Sequence, residues 1–148
     1  VRKALIEVKI TILLGVVIMS KDIKAGNCYS FSKIISDEAV RRFAEITGDF
    51  NPLHLDTEYC KKTRFKERIA HGFLTASLIS AAISKEFPGA IYLSQSLKFI
   101  KPVKIGDKVT ALIKILSKDE KHNFLKLSTI CVNQNNDKVI QGDAVIMI

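Results

Sequence analysis

The sequence predicts an α+β domain in which an antiparallel sheet wraps one long buried helix. Residues 71–86 carry Phe73, Leu74, Ala76, Leu78, Ile79, Ala81, Ala82 and Ile83, apolar on most sides, which is the pattern of a buried helix and not of a surface one. Everything after Pro88-Gly89 reads as strand, over 91–103, 108–116, 124–132 and 139–148. The turns between them are Gly106-Asp107, Lys118-Asp119-Glu120-Lys121 and Asn133-Gln134-Asn135-Asn136-Asp137. A chain of 148 residues, 47% hydrophobic and 26% charged, without internal repeats or low-complexity tracts, has the material for one such core.

The first residues admit three readings. The run 10–19 is almost unbroken apolar behind Arg2, Lys3 and Lys9, which mimics a secretion signal. It is too short for a membrane span, and no small-residue cleavage site follows it. Residues 6–12 also alternate apolar and polar as a strand would. The third reading, which we favour, takes Met19-Ser20-Lys21 as the start, leaving 1–18 as an extension and 19–148 as one domain.

Looser alternation over 29–35 predicts an opening strand. Ser36-Asp37-Glu38 then supplies an N-cap and two acids in a first turn. Val40, Phe43, Ala44 and Thr47 share one helical face, and Gly48 is the natural stop. Asp49 falls just past that helix end, where added negative charge is disfavoured. Asn51 precedes Pro52 and is pushed into an extended conformation, and the proline is expected to bar regular helix from the loop that presents His54. Asp56-Thr57-Glu58 reads as the cap of a short helix, so Asp56 is a cap and not a site residue. A basic linker runs to Arg68, and Ala70-His71-Gly72 opens the buried helix. The two polar knots, Asp49 to Asp56 and Ala70 to Gly72, are expected to face each other across one site.

The formal charge of +8 favours anionic partners. Its densest cluster, Lys61-Lys62-Thr63-Arg64-Phe65-Lys66-Glu67-Arg68, holds one aromatic and one acid. That is not the aromatic-interleaved stripe of a nucleic-acid binder, so a phosphate-bearing small molecule is preferred. The three cysteines, Cys28, Cys60 and Cys131, are odd in number and lack metal spacing. They fit a reducing, cytoplasmic compartment, with neither membrane nor nucleic acid as partner.

Thr47-Gly48-Asp49-Phe50-Asn51-Pro52-Leu53-His54-Leu55-Asp56, followed by Ile69-Ala70-His71-Gly72-Phe73-Leu74-Thr75-Ala76-Ser77-Leu78, resembles the MaoC-like, hydratase-2 family of (R)-specific enoyl-CoA hydratases. Ile91-Tyr92-Leu93-Ser94-Gln95-Ser96-Leu97-Lys98-Phe99, with Pro102-Val103 and Gly106-Asp107, is similar to its short single-domain bacterial members. The resemblance covers roughly 21–148. It implies the hot-dog fold, a homodimer with sheets joined edge to edge, an acyl-CoA thioester substrate, and neither metal nor separate cofactor.

It also implies roles. Asp49 and His54 become the catalytic acid/base pair around one water, and either can take the water proton, since coupled groups titrate together. The Gly72 N–H, in a first turn where backbone donors lack intrahelical partners, becomes the donor to the thioester oxygen. A glycine there also admits the thioester without a Cβ in the way. Asn51 either orients substrate or merely closes its turn, and Ser77 belongs to the pocket wall. His71 is expected to cap or brace the helix start. His122 is expected to be solvated, and Cys60 has no base beside it. Asp49, His54 and His71 together offer metal-ligand chemistry by residue type, without the spacing of a metal motif. Lys61, Lys62, Arg64, Lys98 and Lys101 are all eligible to bind CoA phosphates. Alternatives to the hydratase are a 3-hydroxyacyl-[acyl-carrier-protein] dehydratase, a hot-dog thioesterase, and a non-catalytic acyl-CoA or nucleic-acid binding module.

Overall fold

A computed structural model of the protein describes residues 23–148, together with the backbone of 9–13 and 16–20. The charges Arg2 and Lys3 and the start of the 6–12 alternation lie outside the described residues. Two short strands, β1 (Lys9–Leu13) and β2 (Val16–Ser20), pair antiparallel as a sheet of their own.

The main sheet has six antiparallel strands in the order β3-β6-β7-β8-β4, with β5 also pairing β8. These are β3 (Cys28–Ile34), β4 (Ile91–Gln95), β5 (Lys98–Phe99), β6 (Lys108–Asp119), β7 (Phe124–Val132) and β8 (Lys138–Met147). Alternation along β6 and β7 sends Val109, Ala111, Ile113, Ile115, Leu125, Leu127 and Cys131 inward, as the period of two requires. The helix α4 (Gly72–Glu86) lies on that face against β3, β6 and β7. Its Leu78, Ile79, Ala82 and Ile83 are all 5% exposed or less. Each such aliphatic side chain, where large, contributes about 1.5–3 kcal/mol by leaving water.

Three expectations need correction. The run 91–103 is not one strand. The register slips between Tyr92 and Ser94, and the chain then crosses so close to Gly142 that a Cβ there would stand 1.8 Å from the Ser96 carbonyl oxygen. The edge is therefore divided into β4 and β5. The helix α4 is not buried on all sides either. Phe73, Ser77, Ser80 and Ser84 form an exposed stripe, because small serines at helical spacing leave one face uncommitted. Nor does Pro52 exclude helix: it starts the one-turn α2 (Pro52–Leu55), a position where its missing N–H costs nothing.

The remaining caps form as expected. In α1 (Asp37–Thr47) the Ser36 Oγ accepts from the Ala39 N–H at 3.1 Å. Gly48 ends the helix at φ 77° and donates its N–H to the Ala44 carbonyl. Asp56 caps α3 (Thr57–Lys61) by accepting from the Tyr59 N–H at 2.9 Å.

Candidate active site

The two polar knots meet. Ile69 donates its N–H to the Leu53 carbonyl at 3.1 Å, and Ala70 donates to Val103 at 2.8 Å, which fixes the start of α4 beside α2. Across that joint the His54 ring, 9% exposed, packs against the His71 ring, 2% exposed, with centroids 3.9 Å apart and planes tilted by 37°. The Asp49 carboxylate joins them: one donor atom from each of Asp49, His54 and His71 lies within 4.8 Å of the others.

Each imidazole is oriented by a backbone carbonyl. His54 Nδ1 is 2.8 Å from the Ile69 oxygen. A carbonyl only accepts, so Nδ1 carries the hydrogen and Nε2 is the open acceptor. Burial is the main cause that holds the His54 pKa below the ordinary 6.5, with the His71 ring acting in the same direction; the bond to Ile69 and the nearby Asp49 charge oppose it. His71 Nε2 donates to the Asp49 carbonyl at 2.9 Å, and its buried Nδ1 has no hydrogen-bond partner. His71 is the N-cap residue of α4 but makes no capping hydrogen bond. It braces the loop carrying Asp49 against the helix, which is the second of the two structural roles expected of it.

Arg68, which sequence reasoning left inside the basic linker, belongs to this frame. It is 16% exposed and donates to Asp37 Oδ1 at 2.6 Å and, at 3.5 Å, to the His54 carbonyl. Hydrogen bonds from Arg41 and Arg68 hold the Asp37 carboxyl below its usual range. One guanidinium thus ties α1 to the loop carrying His54. No spacing signal marks it, because its partners lie far away in sequence.

Two clefts open on either side of Phe73, which lines both. The first, about 380 Å³, is bordered by His54, Gly72, Thr75, Phe99, Arg64 and Lys101. The second, about 630 Å³, is bordered by Asp49, Ser77, Ser80, Phe43, Tyr92 and Leu97. Sequence reasoning placed Ser77 on the pocket wall but not Ser80, one turn further along the same exposed stripe. Ser77 Oγ donates to the Leu74 carbonyl at 2.7 Å. Asn51 Oδ1 accepts from the Leu53 N–H at 3.1 Å, so its carbonyl end closes the turn.

A Cβ at Gly72 would lie 2.7 Å from Phe99 Cε1, so the glycine also makes room for that ring, and it borders the first cleft. Two of the three cysteines, Cys60 and Cys131, are buried. Cys60 donates to the Leu53 carbonyl at 3.3 Å. Burial pushes the Cys131 thiol up to about 12. His122 pairs with Asp119 Oδ2 at 2.8 Å on the surface.

The Asp49, His54 and His71 donors are the only metal-capable group of three among the described residues. His54 Nδ1 and His71 Nε2 are spent on carbonyls. Among the described residues no helix is long and apolar enough to cross a membrane.

A hot-dog domain with a histidine and a carboxylate poised over a buried helix start is the class that fold and site define. The family described as MaoC like domain matches residues 20–135, and the chain belongs to it. It is 42% identical over 130 residues, 86% of this chain and 90% of the relative, to the (R)-specific enoyl-CoA hydratase of Rhodospirillum rubrum. It is 38% identical, over 85% of this chain and 78% of the relative, to the mitochondrial 3-hydroxyacyl-[acyl-carrier-protein] dehydratase of Arabidopsis thaliana. Among solved structures, the (R)-hydratase of A. caviae involved in PHA biosynthesis superposes with a TM-score of 0.83 at 36% identity over 87% of this chain and 99% of that one.

Proposed function

We propose that the protein is an (R)-specific enoyl-CoA hydratase, adding water syn across trans-2-enoyl-CoA to give (R)-3-hydroxyacyl-CoA, and running in reverse as a dehydratase. The observation that carries this reading is the Asp49 carboxylate and the His54 imidazole set within 4.8 Å, with His54, whose Nδ1 is taken by the Ile69 carbonyl, bordering the same cleft as Gly72. Similarity to the R. rubrum hydratase supports it.

Asp49 and His54 hold one water between them. His54 Nε2 accepts a proton as the water oxygen bonds to the β-carbon. The pair returns one proton to the α-carbon on the same face, so H and OH add with no net proton lost. Charge that develops on the thioester oxygen is received by the Gly72 N–H at the helix start. The thioester carbonyl is itself the electron sink, so the step calls for no metal or redox cofactor, and coenzyme A is part of the substrate. Asn51, whose carbonyl is held by its own turn, keeps an amide group for substrate positioning.

The acyl chain is assigned to the second cleft, whose wall of Phe43, Ala76, Tyr92 and Leu97 is apolar where Ser77 and Ser80 do not interrupt it. The functional unit is a homodimer in the cytoplasm. The exposed Ile91, Tyr92 and Leu93 on edge strand β4, between 37% and 52% exposed, support it, since such an edge is normally paired or covered. Similarity to the A. thaliana dehydratase favours a second reading, the same chemistry on acyl-carrier-protein thioesters. Parallel assays of matched enoyl-CoA and enoyl-carrier-protein substrates separate the two. The hydratase reading expects the CoA ester to be turned over with the higher kcat/KM, and the reverse order would replace it with the dehydratase.

A further inference from the structure

Of the five cations eligible by sequence to bind a phosphate, only Arg64 and Lys101 border the cleft that holds His54 and Gly72. Both are exposed, whereas Ala70, Thr75, Val103 and Ile140 at the same cleft are buried. The two cations therefore stand at its rim and the buried residues, apolar but for Thr75, form its floor. They are not equivalent. The Lys101 ammonium is matched by Asp137 at 2.6 Å. Among the described residues no carboxylate pairs with Arg64. Its guanidinium lies over the Phe65 ring, 4.8 Å from the centroid, within the range of a cation–π contact. Stacking of this kind occupies the flat face and leaves the N–H edges free, and those edges match two oxygens of a phosphate at once.

We infer that Arg64 is the specificity residue that receives the phosphate of a phosphopantetheine arm, the group that CoA and acyl-carrier-protein thioesters share. The inference rests on the thioester reading above. An apolar floor suits the pantetheine arm, and an unmatched arginine at the rim suits its phosphate end. The thioester then lies inward, beside His54 and Gly72. Phe65 contributes by holding the guanidinium in place before the ligand arrives, so less side-chain freedom is lost on binding.

The test is a calorimetric titration of 4′-phosphopantetheine and of pantetheine into the full chain at one fixed ionic strength. The wild type is expected to bind the phosphorylated arm roughly tenfold more tightly, the size of one charge-assisted contact. In Arg64→Ala this ratio falls to near one with pantetheine affinity retained, and Arg64→Lys, a point charge without the fork, recovers part of it. Lys101→Ala is expected to change the ratio less than Arg64→Ala does. A ratio that persists in Arg64→Ala, or is lost only in Lys101→Ala, overturns the assignment. So does a wild type that binds both arms equally. Coenzyme A and its 3′-dephospho form separate the phosphates. If sensitivity to Arg64→Ala requires the 3′-phosphate, the contact belongs to CoA alone and the shared-arm assignment falls. Turnover of crotonyl-CoA by the wild type is measured alongside. Its absence would defeat the hydratase reading and leave the binding ratio readable.

Discussion

The tautomer of His54 follows from a single bond. Because Nδ1–H is held by the Ile69 carbonyl, the nitrogen left for chemistry is an acceptor, and burial keeps it neutral to lower pH than a free histidine. A base must be unprotonated to work, so activity falls as pH drops through the folded-state pKa. The acid limb of kcat/KM is accordingly expected below pH 6.5, measured on the free enzyme with subsaturating substrate; a limb above 6.5 would contradict the burial argument. The same shift bears on stability. The unfolded chain takes up its proton first as pH falls, so the contribution is fully present above the unfolded value of 6.5 and is lost as pH falls through the folded one. Asp49→Asn and His54→Ala are each expected to lower kcat by about 10²–10⁴-fold, with far-UV circular dichroism unchanged. Near-wild-type turnover in either would remove that residue from the pair. His71→Leu is different in kind. It deletes the donor to the Asp49 carbonyl, so it should lower kcat with little change in KM and also lower Tm, whereas a catalytic group alone would leave Tm in place.

Helix termini do most of the positioning at the scale of elements, and they were the most legible part of the sequence. Ser36, Gly48 and Asp56 announce their caps by residue type and spacing alone. The two knots could be paired because one ends a helix and the other begins one. What stayed hidden depends on contacts between distant segments. The division of 91–103 into two strands is set by Gly142, on another strand, and the Phe99 ring of β5 occupies the space that a Cβ at Gly72 would need. The role of Arg68 depends on Asp37. Gly142→Ala puts a Cβ against backbone that cannot swing away, and it is expected to yield little soluble protein. Gly72→Ala meets only the side chain of a half-exposed phenylalanine. It should cost about 1–3 kcal/mol by chemical denaturation and fold nonetheless. Equal solubility of the two variants would count against this ranking. On α4, Ser80→Phe projects into the second cleft, so kcat/KM for an eight-carbon enoyl-CoA should fall further than that for crotonyl-CoA. Equal losses would place the acyl chain elsewhere.

At the scale of the whole molecule, the proposed homodimer would cover the exposed apolar edge of β4. Sedimentation equilibrium is expected to give twice the chain mass, and a monomer at working concentration would remove the dimer from the proposal. In the proposed reaction the labour is divided: the loop after α1 would bring the proton-transfer groups, the start of α4 would bring the oxyanion donor, and the sheet would hold both in place. Incubation with crotonyl-CoA tests that division most directly. Absorbance of the conjugated thioester is expected to fall at a rate lowered about 10²–10⁴-fold in Asp49→Asn, and chiral analysis is expected to find the (R)-3-hydroxybutyryl product. Free thiol with no hydration, or a product of (S) configuration, would contradict it.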